Sequence, residues 1–265
     1  MVDAVFLVLF TIGEGVMQRF AGKVILITGA ASGIGEAAAY RLAEEGGKVF
    51  CTDINEDALN EAVEKVKKQG GEATARRLDI SSESDVNACI ADCISTYGQL
   101  DAVVNMAGVL RFDNCHELAL SDWQRVIDVN LTGTFLLCKA VLPELLKTKG
   151  NIVNAASTAS LSGLPWGTAY SASKGAVLAM TRTIAVEYAK RGVRANCVCP
   201  GDISTNMAAN VTFPADADMS LLGRISSLSG PKEPSVVAGV IAMLASDDGI
   251  HITGEHIRVD GGTLS

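Results

Sequence analysis

A short apolar run that hands over at once to a glycine-rich turn, Val24 to Thr28 and then Thr28-Gly-Ala-Ala-Ser-Gly-Ile-Gly35, constrains this chain more than any other feature. The run reads as a short buried strand, and the residues after the turn carry a helical pattern as far as Gly46-Gly47, where paired glycines end it. Such a turn presents backbone N–H groups at a helix N-terminus, where the dipole holds a pyrophosphate and missing side chains let it approach. A plain glycine turn between two elements would use the same residues. The position directly after the first strand favours the phosphate-binding reading, with Gly29, Ser32, Gly33, Ile34 and Gly35 as the cradle.

From Lys23 onward strand and helix patterns alternate, the signature of a doubly wound parallel sheet. Lys48 to Thr52 is a second strand ending in Asp53. An acid there can accept hydrogen bonds from both ribose hydroxyls of an adenosine and repel a 2′-phosphate, which points to NAD; the competing reading is a turn residue before Asn55. Glu56 to Gln69 is an amphipathic helix with Leu59, Val63 and Val66 as its buried stripe. Ala73 to Leu78 is a third strand that delivers Asp79 and Ile80, and Asp79 could equally belong to a capping arrangement with Ser81 or Ser82 and Asp85.

Asp101 to Asn105 forms a fourth strand and runs into Met106-Ala-Gly108. The next helix is expected to open at Ser121, with Gln124 completing a capping box, and to bury Trp123, Val126 and Ile127. Asn130 continues that face. An Asn among apolar neighbours needs its amide satisfied, so it either bonds backbone and water locally or is a core oddity. A fifth strand, Asn151 to Ala156, delivers Ser157, and a helix over Thr168 to Arg191 places Tyr170 and Lys174 on one face. A nearby ammonium stabilises phenolate, so Lys174 is expected to lower the Tyr170 pKa and make it an acid or base near neutral pH. Taken alone, Tyr-x-x-x-Lys occurs on many surface helices. Val193 to Cys199 is a further strand, followed by Pro200-Gly201-Asp-Ile203-Ser-Thr205, and a helix over Pro234 to Ser246 and a strand over Glu255 to Val259 finish the chain. Between them, 206–232 has no clear period and exceeds an ordinary connection, which suggests a substrate lid.

Taken together, the glycine turn, Asn130, Ser157, Tyr170 and Lys174 resemble the short-chain dehydrogenase/reductase family, with every motif in order over residues 20–265. The resemblance implies a single α/β domain, a Rossmann-like doubly wound parallel sheet of about seven strands with helices on both faces. It implies that Ser157 and Tyr170 hydrogen-bond the substrate oxygen, that Tyr170 moves the proton, that Lys174 also binds the nicotinamide ribose, and that Asn130 holds a water linking Lys174 to solvent. On the cofactor side it implies that Asp79 and Ile80 flank the adenine and that Asn105, Ala107 and Gly108 meet the dinucleotide. Met106 stands where the family pattern has a second Asn, which weakens one structural hydrogen bond. By the same resemblance the Ile203 backbone meets the nicotinamide carboxamide, Thr205 lies near it or the phosphates, and Pro200 and Gly201 also bind the cofactor. Ser32, where NADP-using relatives often carry a cation, agrees with NAD. Two rivals share these motifs: a 3-oxoacyl-carrier-protein reductase, which usually takes NADPH, and a non-enzymatic NAD-binding sensor, which tends to lack the Tyr/Lys pair. Family members commonly form tetramers through the helices carrying Asn130 and Tyr170, so a homotetramer is expected.

The 265 residues, 48% hydrophobic, suffice for one large domain. A net charge of −8 argues against nucleic acid or an anionic membrane as partner and leaves small molecules. Seven cysteines without a Cys-x-x-Cys pair, and His116, His251 and His256 far apart, suggest no metal site and a reducing cytoplasm. Residues 1–19 precede the resemblance; their apolar run, Ala4 to Ile12, falls short of the roughly 20 residues a membrane helix needs and lacks the basic start of a secretory signal. That extension could be disordered, packed on the surface or an artefact of start-codon choice. In this fold the substrate pocket would be walled by Val109, Leu110 and Phe112, by Leu161, Leu164, Pro165 and Trp166, and by Met207, Val211, Phe213 and Met219. Such a wall selects a lipophilic secondary alcohol or ketone. Arg111 and Arg224 are too few to read as a docking patch for an acidic carrier, and the alternative for the apolar residues is lid core or subunit contact.

Overall fold

A computed structural model describes residues 17–265, so the apolar run of the N-terminal extension lies outside the described residues. Seven parallel strands, β1 (Val24–Thr28), β2 (Lys48–Asp53), β3 (Glu72–Arg77), β4 (Ala102–Asn105), β5 (Asn151–Ala155), β6 (Arg194–Pro200) and β7 (His256–Val259), form one sheet. Their order is β3-β2-β1-β4-β5-β6-β7. The winding reverses between β1 and β4, and a doubly wound sheet opens a crevice at the carboxyl ends of its strands there.

Strand alternation divides the core into two. Ile25 and Ile27 face the helices α1 (Gly33–Glu44), α2 (Glu56–Lys68) and α8 (Ser235–Ala245), while Val24 and Leu26 face α3 (Glu83–Tyr97), α5 (Thr134–Thr148) and α6 (Thr168–Tyr188). The expected stripe of α2 is buried, and the Asn55 side chain caps its start by accepting from the Ala58 N–H at 3.2 Å. At the end of α1, Gly46 takes φ +89° and any Cβ on Gly47 would strike Ile25 and the Leu42 carbonyl, so both glycines are needed.

Two local expectations are corrected. The helix α4 (Leu120–Ile127) is preceded by Ala119, with no side-chain cap, and Gln124 donates instead to Asp128 at 2.7 Å. Of its three expected core residues only Val126 is buried, Trp123 and Ile127 being half-buried, and the chain runs on through a π-turn over Asp128–Gly133 into α5. From Leu120 to Thr148 the helical stretch is long and apolar enough to cross a membrane by composition, yet Leu137, Val141 and Leu145 are buried against the sheet. Arg19, assigned to the extension, belongs to the folded body: its guanidinium bonds buried Glu45 at 2.5 and 2.7 Å and Asp248 at 2.7 Å.

The cysteines are free, and six of the seven are buried. Burial pushes the thiols of Cys51, Cys89, Cys93, Cys138 and Cys197 up to about 12, and that of Cys199 upward as well. Cys115 is exposed.

Candidate active site

A cleft of about 1140 Å³ runs along the carboxyl ends of β1 to β4. Its floor is the first turn. Gly29 (φ +67°) and Gly33 (φ +58°) adopt left-handed backbone, and a Cβ on Gly35 would lie 2.1 Å from the Gly29 carbonyl oxygen. Ser32, extended at the N-cap of α1, makes no side-chain cap, so the first-turn N–H groups have no intrahelical partner and no cap. At the far end Asp53 accepts from the Ala31 N–H at 3.2 Å and the Asn55 N–H at 2.9 Å. It therefore closes the turn before Asn55 and also lines the cleft. A cradle that side chains would fill, amides at a helix N-terminus and a ribose-sized acid beyond them fit a dinucleotide.

The cleft is lined by Gly29, Ser32, Gly33, Ile34, Gly35, Asp53, Asp79, Ile80, Ala107, Gly108 and Thr205, all expected from the sequence. Asp79 accepts from the N–H and hydroxyl of Ser81, while Ser82 caps α3 by accepting from the Asp85 N–H, so capping falls to Ser82. Thr205 stands beside Gly33 and caps the short α7 (Asn206–Ala209). Asn105, Tyr170, Lys174, Pro200, Gly201 and Ile203 do not line it. Gly201 packs on Asp260, where a Cβ would come within 2.8 Å, and Asn105 points into the core, donating to Asn154 Oδ1 at 2.6 Å. Ile203 pairs with Lys232 through the backbone of Asp202 and Ser204, which leaves its own N–H and C=O out of that bridge. Met106 packs its side chain into the core and donates its N–H to the Thr28 hydroxyl at 3.1 Å, as does Ala107. Thr28, Ile54, Leu78, Arg125 and Val129 also line the cleft, and no sequence signal marked them as cleft residues.

Behind Gly108 lie the groups expected to do chemistry. A Cβ on Gly108 would meet Asn130 Oδ1 at 3.2 Å and Lys174 Nζ at 3.5 Å, so glycine there brings both to the cleft wall. Lys174 is buried; its ammonium donates to the Ala155 carbonyl at 2.8 Å and sits 5.8 Å from the centre of the Tyr170 ring. Burial pushes Lys174 down to about 8. Tyr170 differs from expectation: burial raises its pKa, opposed by a hydrogen bond with Ser157, and the lysine does not set the direction. Ser157 lies two residues beyond β5 and accepts from the Ala159 N–H at 3.1 Å, while its own N–H donates to Ser160 Oγ at 3.0 Å. That turn holds the hydroxyl rigidly.

The Asn130 side chain is fully committed within the protein. It donates to the Val109 carbonyl at 2.9 Å and to Ser173 Oγ at 3.1 Å and accepts from the Val109 N–H at 2.8 Å. Ser173 in turn donates to the Tyr170 carbonyl at 2.7 Å. The amide thereby ties the wall after β4 to α6.

The apolar wall is also rearranged. Val109, Leu110, Met207 and Val211 line the cleft, but Phe112, Trp166 and Phe213 stack on one another, with centroids 5.2 to 6.3 Å apart. Leu161 and Met219 are exposed. Arg111 is paired with Asp113 at 2.6 Å and Asp122 at 3.2 Å.

Parallel sheet, switch-point cleft and a Ser, Tyr and Lys cluster behind it together place the chain in a group recognisable by comparison. A family model described as "Enoyl-(Acyl carrier protein) reductase" matches residues 29–263, and the chain belongs to the short-chain dehydrogenase/reductase family. Members of that family are oxidoreductases that bind a nicotinamide cofactor. Meso-2,3-butanediol dehydrogenase of Serratia marcescens is 40% identical over 94% of this chain and 97% of its own length. Cyclohexanol dehydrogenase of an Acinetobacter species is 39% identical, covering 94% and 97%. A 3-oxoacyl-[acyl-carrier-protein] reductase of Thermotoga maritima is 38% identical, covering 93% and 100%. Among solved structures, a dehydrogenase/reductase from Sinorhizobium meliloti superposes with a TM-score of 0.85 at 31% identity, covering 95% and 98%.

Proposed function

We propose that this chain is an NAD-dependent dehydrogenase of a lipophilic secondary alcohol, or a reductase of the matching ketone, working in the cytoplasm as a homotetramer. The observation that carries the cofactor choice is Asp53: its carboxylate lines the cleft one strand away from the glycine turn, and neither cation lining the cleft, Arg111 or Arg125, belongs to that turn or to the end of β2. A 2′-phosphate there would meet a negative charge. The substrate class rests on Val109, Leu110, Met207 and Val211, which reward burial of carbon at roughly 25 cal/mol per Å².

The nicotinamide ring, when bound, supplies the hydride acceptor or donor. Ser157 and Tyr170 are assigned to the substrate oxygen, the serine fixed by its turn and the tyrosine by α6. Tyr170 takes the hydroxyl proton in oxidation. Burial holds its phenol protonated, so Tyr170 can take the alcohol proton only as its own proton passes on, and the acceptor is the neutral amine form of Lys174, which burial makes accessible from about pH 8 upward. Asn130 keeps α6 in register with the cleft wall through Ser173. Tyr170→Phe should lower turnover of a secondary alcohol by roughly 10² to 10⁴ while NAD binding by calorimetry stays within about twofold. Retention of more than about a tenth of wild-type turnover would exclude Tyr170 as the base.

The acyl-carrier reductase reading is favoured by the Thermotoga relative. An absorbance screen of cyclic, aliphatic and aromatic secondary alcohols against polyols and 3-oxoacyl thioesters, each with NAD(H) and NADP(H), separates the two. Absence of turnover throughout would favour the sensor.

A further inference from the structure

We propose that Trp166, Phe112 and Phe213 form a latch that holds segment 206–232 shut over the reacting hydroxyls and sets the size of the alcohol that turns over; this rests on the alcohol chemistry proposed above. The three rings come from three separate segments. Phe112 follows the cleft-lining residues after β4, Trp166 lies between Ser157 and Tyr170, and Phe213 follows Val211 in the lid. Phe213 meets both partners, at 5.2 Å from Phe112 in a tilted arrangement and 5.6 Å from Trp166 edge to face. These are the geometries that ring quadrupoles favour.

Trp166 shows that the surroundings enforce this arrangement. It is one of only two residues other than glycine with positive φ among the described residues, at +60°. A bulky side chain persists in left-handed backbone only where neighbours over-determine it. Here the Trp166 carbonyl accepts the Asp113 N–H at 3.0 Å, which binds its loop to the one carrying Phe112. A second clasp lies alongside: Asn114 Nδ2 donates to Asp216 Oδ1 at 2.8 Å, joining the same loop to the lid three residues after Phe213. At its far end the lid is anchored by the backbone bridge between Ile203 and Lys232. The segment is therefore fixed at its base, tied to the C-terminal turn by the Leu228 N–H on the Gly261 carbonyl at 3.0 Å, and held nearer its start by the rings and the Asn114–Asp216 clasp. With the rings stacked on each other, a bulky alcohol must part them, whereas a small one need not.

Trypsin cleavage at Arg224, an exposed residue inside the lid, reads opening without requiring any substrate. Phe213→Ala removes two aromatic pairs, each worth roughly two- to twelvefold in an equilibrium, and cleavage of a segment that opens and closes rapidly follows its open population, so cutting should accelerate about tenfold or more. Phe112→Leu keeps most of the volume, loses its pairs from the opposite side and should act in the same direction. Circular dichroism and NADH binding confirm that each variant is folded. In steady-state assays, both variants should raise kcat/KM for 1-phenylethanol relative to cyclohexanol by at least about fivefold. The proposal is overturned if folded variants are cut at the wild-type rate, or if cutting accelerates while the preference between the two alcohols stays within twofold. Should the wild type oxidise neither alcohol, the function proposed above fails, and the cleavage comparison still decides whether the rings hold the lid.

Discussion

Replacing Lys174 by Met should make the protein more stable and less active, and by an amount that depends on pH. Lys174 is 4% exposed, and burial lowers its pKa from 10.5 to about 8. A difference of that size corresponds to about 3 kcal/mol against the charged form in the folded state. Its bond to the Ala155 carbonyl recovers roughly 1.5–3 kcal/mol of that, as hydrogen bonds from charged donors do. Met fills the same space without a charge, so at pH 7 the variant should gain roughly 1 kcal/mol, or about 2–4 °C in Tm for a chain of this length. The sign of the pH dependence follows from linkage. Between about 8 and 10.5 the unfolded chain binds the proton more tightly than the folded one, so wild-type stability rises with pH through that window and the penalty is constant below it. The advantage of the variant should therefore be full at pH 7 and shrink by pH 10. Urea melts at fixed protein concentration, at pH 7 and pH 10, measure both quantities. A variant less stable than wild type by more than about 1 kcal/mol at pH 7, or a difference unchanged at pH 10, refutes the reasoning.

Asp53→Ala should weaken NAD binding and relax the discrimination against NADP, since the carboxylate that would face a 2′-phosphate is gone. Calorimetry showing that the wild type already prefers NADPH overturns this and promotes the acyl-carrier reductase reading. Static light scattering at micromolar concentration should return four chains, since Phe135 on α5 and Val186 on α6 are left exposed. A monomer contradicts that assembly.

The sequence made legible what the backbone decides locally. Val24 to Thr28, the glycines after it and Asp53 were readable because strand, turn and strand end each demand particular residue types in a fixed order. Tyr170 and Lys174 were readable as neighbours because helical spacing fixes their relation. Their energetics were not, because the pKa of each depends on burial and on Ala155 and Ser157, which belong to a different segment. Asn130 illustrates the same divide: its need for hydrogen-bond partners followed from its apolar neighbours, but their identity, Val109 and Ser173, required tertiary structure. The false capping box at Ser121 arose because the pattern is short and Ala119 lies in extended backbone without any side chain to announce it. Phe112, Trp166 and Phe213 are legible as three of the eleven residues expected to wall the pocket, yet whether they face a ligand or each other depends on ring orientation, which no spacing encodes.

The distribution of the thiols has a practical consequence. With six sulfurs sealed in the interior and their ionisation suppressed, a maleimide dye added to the native protein has one place to attach, Cys115. That residue adjoins Asn114, whose amide grips Asp216. Cys115 is thus a built-in labelling position beside the contact that joins its loop to segment 206–232, where fluorescence would report the opening proposed above without any engineered cysteine.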